Sequence, residues 1–202
     1  MAYTQWDLYG AILSGSIGGG IVAVAAQRAI DWIRQPKIEI RFDPSSACTD
    51  TPYRSEGLVT RARYLRVRVK NTGQSAAKGC RVLVRSITKT DTAGTTTKIT
   101  EDDWFDLSWA YGSINDGTAF STTIPRAVTR HADVAFVVEN RGLQGLSMAS
   151  SNFPHRLEQY FNGPGKFTAE IVVAGENFPP ALASVAFDFG GAMSSFRAIQ
   201  PR

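Results

Sequence analysis

Cysteine and histidine are scarce in this chain, with two of each among 202 residues. Cys48 and Cys80 can close at most one bridge, which excludes a disulfide-dense scaffold. Neither has a second ligand nearby, so a zinc site has too few clustered donors. A Gly-x-Ser-x-Gly elbow is missing, and so is a phosphate-cradling glycine loop, because Gly18, Gly19 and Gly20 are not followed by Lys and Ser or Thr. Charge bias is also small. Twenty-two basic against 18 acidic residues leave +4, too mild to mark a nucleic-acid binder. A composition of 43% hydrophobic and 20% charged residues excludes a disordered or collagen-like chain. The most informative absence is local: from Leu8 to Gln27 there are 20 consecutive residues without a charge.

That run reads LYGAILSGSIGGGIVAVAAQ. At about 1.5 Å per residue it forms a helix of roughly 30 Å, the thickness of a bilayer's hydrocarbon core. Trp6 and Tyr9 at one end and Trp32 at the other suit interfacial belts. Five glycines in the run oppose a helix in water, at about 1 kcal/mol each relative to alanine, but membrane helices tolerate them. A buried core helix and a signal peptide are the alternatives. The latter wants a positive charge ahead of its apolar stretch, and no Lys or Arg precedes Arg28. The expectation is therefore one transmembrane helix. Arg28, Arg34 and Lys37 follow the run, so the positive-inside rule places the remainder of the chain in the cytoplasm, at the cell membrane. Leu13, Ile17, Ile21 and Val24 share one helical face. Ala11, Gly15 and Gly19 recur at four-residue steps on the other, a pattern that favours helix self-association.

Pro36 ends the helical reading, and the hydrophobic period becomes two. Residues 37–42 place Ile38, Ile40 and Phe42 on one face, 64–70 place Leu65, Val67 and Val69 inward, and 81–85 place Val82 and Val84 inward. Further candidate strands are 95–100, 105–109, 132–138, 167–174, 183–189 and 194–199, with turn signals at 71–73, 115–117, 162–165 and 190–191. Short strands with almost no helical pattern predict an antiparallel β-sandwich. The stretches 43–61 and 141–161 read as long connections; HRLEQYF near the end of the second suggests a helical turn or two, and its length suggests a cap or a contact surface.

The segment YLRVRVKNTGQSAAKGCRVLVRSI carries more than periodicity. Val67, Val69, Asn71, Gly73, Ala76, Ala77, Val82 and Val84 stand where a strand–turn–strand unit repeats in bacterial immunoglobulin-like modules, and the segment resembles those of the CARDB type. KFTAEIVVAGENFPPALASVAFDF is similar to the closing strands of such sandwiches. The resemblance implies an immunoglobulin-like fold and a binding, scaffolding or spacer role without naming a ligand. Asn71 and Gly73 are expected to supply the positive φ that the turn demands.

Chemistry finds few footholds. His131 and His155 read as ordinary polar side chains. The carboxylates of 101–106 lack the spacing and central glycine of a calcium loop and read as a solvated segment or as partners for arginines. No catalytic residue, metal or cofactor is expected. The basic residues are more suggestive. Arg66, Arg68 and Lys70 share the outward face of one strand, and Arg81 and Arg85 that of the next. Pairing of these strands across residues 71–78 would join them into one positive surface, interleaved with acids such as Glu39, for an acidic partner or anionic lipid headgroups. Aromatic interleaving of the kind that binds single-stranded nucleic acid is lacking, which makes nucleic acid an unlikely partner.

The sequence thus predicts a tail, helix and juxtamembrane segment over 1–35 and a β-sandwich over 36–202. The function expected is non-enzymatic: a membrane-anchored binding or assembly module with a protein partner or a second copy of itself. An oligomeric membrane-disrupting effector, whose β-domain senses a trigger, is the alternative.

Overall fold

The computed structural model describes residues 27, 34–55, 58–100, 104–112, 117–139, 145–150 and 152–201. Apart from Gln27, the uncharged run with Ala11, Gly15 and Gly19 lies outside them, and so does the expected transmembrane helix. Among the described residues no helix is long and apolar enough to cross a membrane.

Residues Pro36–Arg202 form a compact unit that is mainly β and wholly antiparallel in its pairing. Its strands in chain order begin with β1 (Ile38–Arg41), β2 (Cys48–Ser55), β3 (Leu58–Asn71), β4 (Ala77–Thr90), β5 (Thr96–Thr100) and β6 (Phe105–Leu107). They continue with β7 (Thr122–Ile124), β8 (Thr129–Val138), β9 (Leu146–Met148), β10 (Gly165–Ala174), β11 (Ala181–Phe189) and β12 (Arg197–Ile199). One sheet runs β1-β3-β8-β9, with β2 also on β3. The other runs β12-β11-β10-β4-β5, with β6 and β7 also on β4. The arrangement fits a β-sandwich.

Alternation explains the long strands. Leu65, Val67 and Val69 of β3 and Val82, Val84 and Ile87 of β4 are fully buried in one core. Through that core passes a column of rings: Phe105, Phe153, Phe161, Phe167, Phe187 and Phe196, with successive centroids 5.1, 5.4, 5.2, 5.1 and 5.9 Å apart. Edge-to-face and stacked pairs of this kind contribute about 0.5–1.5 kcal/mol each beyond their burial. Phe153 and Phe161 come from the expected connection at 141–161. Its HRLEQYF segment folds as a helical turn, His155–Glu158, and a 3₁₀ turn, Gln159–Phe161, which press Leu157 and Phe161 onto the core.

Three features depart from the sequence expectation. The stretch 43–61 is no linker, for it contains β2, a polar edge strand that among the described residues pairs only with β3 and tolerates Pro52 on that account. The segment 105–109 is a strand only as far as Leu107, after which it crosses sheets: Trp109 bridges to Ala132 on β8. Most consequentially, β3 and β4 do not pair; each belongs to a different sheet. Residues 72–76 form an arch between the sheets, and the reason is Asn71.

Asn71 is completely buried. Its Nδ2 donates to the carbonyls of Ser75 (2.7 Å) and Ile124 (2.9 Å), and its Oδ1 accepts from the backbone N–H of Gly73 (3.0 Å) and Lys37 (3.3 Å). The carboxamide therefore bends the arch and ties it to the ends of β1 and β7. Positive φ plays no part in this arch, since the glycines that adopt it are Gly79, Gly94, Gly117, Gly163 and Gly191. An unpaired buried polar group costs about 1–3 kcal/mol, and Asn71→Ala leaves several. That variant is expected to lose roughly 3 kcal/mol or more of unfolding free energy in urea melts, whereas a loss below 1 kcal/mol contradicts this role for the carboxamide.

Candidate binding surface

On the outer face of the first sheet, β3 presents Tyr64, Arg66, Arg68 and Lys70 in alternate positions. β1 lies on one flank, with Arg41 opposite Arg68 and Glu39 opposite Lys70. β8 lies on the other, with Phe136 opposite Tyr64, Asp133 opposite Arg66 and His131 opposite Arg68. This face is set by a bulge. The β3–β8 register shifts between Leu65 and Arg66, so that Val134 goes unpaired and stays buried while Asp133 moves to the outer face.

Arg66 is the fixed point of the face. Its Nε lies 2.6 Å from Asp133 Oδ1, and the two side chains are only 10% and 11% exposed. Its Nη1 donates to the Tyr111 hydroxyl at 3.0 Å, and the guanidinium stands over the rings of Tyr111 and Tyr64, 5.0 and 5.4 Å from their centroids. Tyr111 reaches this position because the crossing segment is fastened to β8. The Ala110 N–H donates to the His131 carbonyl, and the Asp133 N–H to the Ser108 carbonyl. Tyr111 itself takes a φ of +65° and is 84% exposed. Burial pushes the Asp133 carboxyl above its ordinary range, with the Arg66 guanidinium working against that push.

The neighbouring cations are held more loosely. Arg68 lies 3.5 Å from Asp43, and Arg41 lies 2.7 Å from Glu39, all four side chains being well exposed. Hydrogen bonds from Ser45 and Ser46 hold the Asp43 carboxyl below its ordinary range, and Arg68 adds a smaller pull. Arg41, Arg68 and His131 form one row across three strands, where like charges repel. Burial, and then Arg66 and Arg68, push the His131 imidazole below its ordinary value of 6.5. Together with Asp43, Ser46, Thr49, Arg66 and Tyr111, this row lines an open recess of about 300 Å³.

Arg81 and Arg85 lie on the other sheet, each with its own carboxylate: Asp106 at 2.6 Å and Glu170 at 3.4 Å. The structure therefore brings together Arg66, Arg68 and Lys70 but not Arg81 and Arg85, because the arch at 72–76 separates the two rows. Asp43 and Tyr111 complete the recess and Asp133 holds Arg66 beside it, and alternation in β3 alone could not have named them. His155 sits exposed on its helical turn, with Nδ1 2.9 Å from Glu158 Oε1. It borders a second recess of about 520 Å³, floored by Phe136, Leu146, Met148, Phe153 and Phe161. Cys48 and Cys80 are both free thiols, and among the described residues no cluster of His, Cys, Asp and Glu could hold a metal.

Two measurements probe the face. Arg66→Met alone strands a buried carboxylate and is expected to cost about 3–5 kcal/mol, while Arg66→Met with Asp133→Leu recovers most of that loss; equal instability of both variants counts against a desolvated pair. His131, whose folded value is depressed, contributes stability that is intact above about 6.5 and declines as pH falls through that value toward the lower one. His131→Asn is accordingly expected to flatten the fall in stability between about pH 7 and 5, as read by thermal melts against pH.

No protein-family model matches this chain, and no curated protein matches it.

Proposed function

We propose that the chain is a membrane-tethered, non-catalytic binding or assembly module. In this reading an immunoglobulin-like β-sandwich of the CARDB kind is held at the cytoplasmic face by the uncharged run at residues 8–27. The tether concentrates the module on one surface, and a second copy or another protein binds at high effective concentration. The Ala11, Gly15 and Gly19 stripe of the sequence supplies a means for two tethers to pair.

The observation that carries the binding role is the unequal grip on the recess arginines. Arg66 is locked between Asp133, Tyr64 and Tyr111. Arg41 and Arg68 are engaged only by exposed carboxylates, a kind of pair worth about 0–1 kcal/mol. An incoming acidic side chain can therefore take over their N–H donors at little cost, beside the Arg66 guanidinium and the Tyr111 ring. Arginine and tyrosine in such a setting are the residue types that dominate interface energies.

The test uses the full chain expressed in cells. Alkaline carbonate is expected to leave it in the membrane pellet. Cross-linking in detergent extract is expected to capture a partner that Arg41→Glu with Arg68→Glu loses by roughly tenfold or more. Release into the carbonate supernatant removes the tether, and undiminished capture by the double variant removes the recess.

A further inference from the structure

The chain enters the compact unit at Pro36–Lys37, and two other segments meet it at that corner. One is the arch at 72–76. The other is the turn at 125–128, closed by the Val128 N–H donating to the Pro125 carbonyl at 3.2 Å. Asn71 holds all three. Besides its carboxamide bond to the Lys37 N–H, its backbone N–H donates to the Val128 carbonyl at 3.2 Å, and its carbonyl accepts from the Ala127 N–H at 2.9 Å. The Thr72 N–H also donates to the Lys37 carbonyl at 2.8 Å.

This corner is unlike the sheet faces in its charge. Lys37, Arg126 and Arg130 are exposed here, and Lys70 stands half-buried beside them. Among the described residues no ion pair engages Lys37, Arg126 or Arg130. By contrast Arg41, Arg66, Arg68, Arg81 and Arg85 on the faces each hold a carboxylate. The nearby acids are Glu39, which Arg41 engages, and Glu176, which lies against Gly79. Between Arg126 and Arg130 the turn exposes Val128 by 37%, and Ala127 takes a φ of +62°, a conformation that glycine adopts far more readily.

We infer that this corner, formed by Lys37, Lys70, Arg126, Val128 and Arg130, docks on the headgroups of an anionic bilayer. The inference deepens the proposed function and rests on its tether. Only the nine residues 28–36 separate the uncharged run from Lys37, so a run in the bilayer keeps this corner within reach of the surface. Three cations without an ion pair, Lys37, Arg126 and Arg130, and the exposed Val128 match a layer of phosphates over acyl chains, where each basic residue adds about fivefold to the attraction.

Amide hydrogen exchange on the full chain in nanodiscs tests the inference, comparing discs of phosphatidylcholine alone with discs that also contain phosphatidylserine. Peptides spanning 125–131 are expected to exchange roughly tenfold more slowly in the anionic discs. The effect should vanish in half-molar salt and in Arg126→Gln with Arg130→Gln, while the hairpin turn at 91–95, at the other end of β4, stays unchanged. Equal exchange in both kinds of disc overturns the docking corner, and the tether still stands if carbonate fails to extract the protein from vesicles of either composition. Slowed exchange on anionic vesicles from which carbonate does extract the protein supports the corner and removes the tether instead.

Discussion

The carboxamide of Asn71 has two N–H donors and an oxygen that accepts two bonds, and all four capacities are taken up inside the protein. Water cannot substitute for any of them, because the side chain is wholly buried. Its partners lie in β7, in the arch and at the head of β1, so one polar group fixes how the chain passes between sheets. The inward rows of β3 and β4 then face one another across the core instead of lying side by side. The separation of Arg66 and Arg68 from Arg81 and Arg85 is a direct result.

Charge is distributed on the surface by the same topology. Antiparallel neighbours place acids where the arginines of the faces need them: Asp133 through a bulge, Asp106 on β6, Glu170 on β10 and Glu39 along β1. Among the described residues, Lys37, Arg126 and Arg130 near Asn71 hold no carboxylate, and backbone groups and the Asn71 carboxamide satisfy one another there. The recess and the corner therefore differ in kind. In the recess acid and base are nearly balanced about a rigid Arg66; the corner offers plain positive charge on turns.

Much of the fold was legible from the sequence because burial on one face forces alternation. Leu65, Val67 and Val69, or Val82 and Val84, can be read off without coordinates. β2 escaped because an edge strand of Thr, Asp and Pro carries no such signal, and β7 and β9 because three residues make no period. Which sheet a strand joins is not written in its alternation either. Arg81 and Arg85 point outward from the core in both the paired and the separated arrangement, so the expectation of one positive surface had no local sign against it. Asp133 was hidden for a different reason. Counting by twos from Phe136 assigns it to the interior, and only a bulge, which side-chain pattern does not reveal, turns it outward. Tyr111 is carried to Arg66 by irregular backbone, where periodicity has nothing to say.

β1 and β2 lie end to end along a single flank of β3, and β1 is held there by four residue pairs. Tension applied through the chain ahead of Pro36 loads β1 before any other strand. Asn71, gripping the Lys37 amide, and Thr72, whose hydroxyl donates to the Lys37 carbonyl, are side-chain latches against such a pull. Peeling β1 away would uncover the flank of β3 from Arg68 to Asn71 while β2 kept its own eight-residue pairing beyond. Mechanical strain on the amino-terminal side is thereby converted into exposure of a short β-edge bearing Arg68 and Lys70, and Ile38 and Ile40 leave the core with β1.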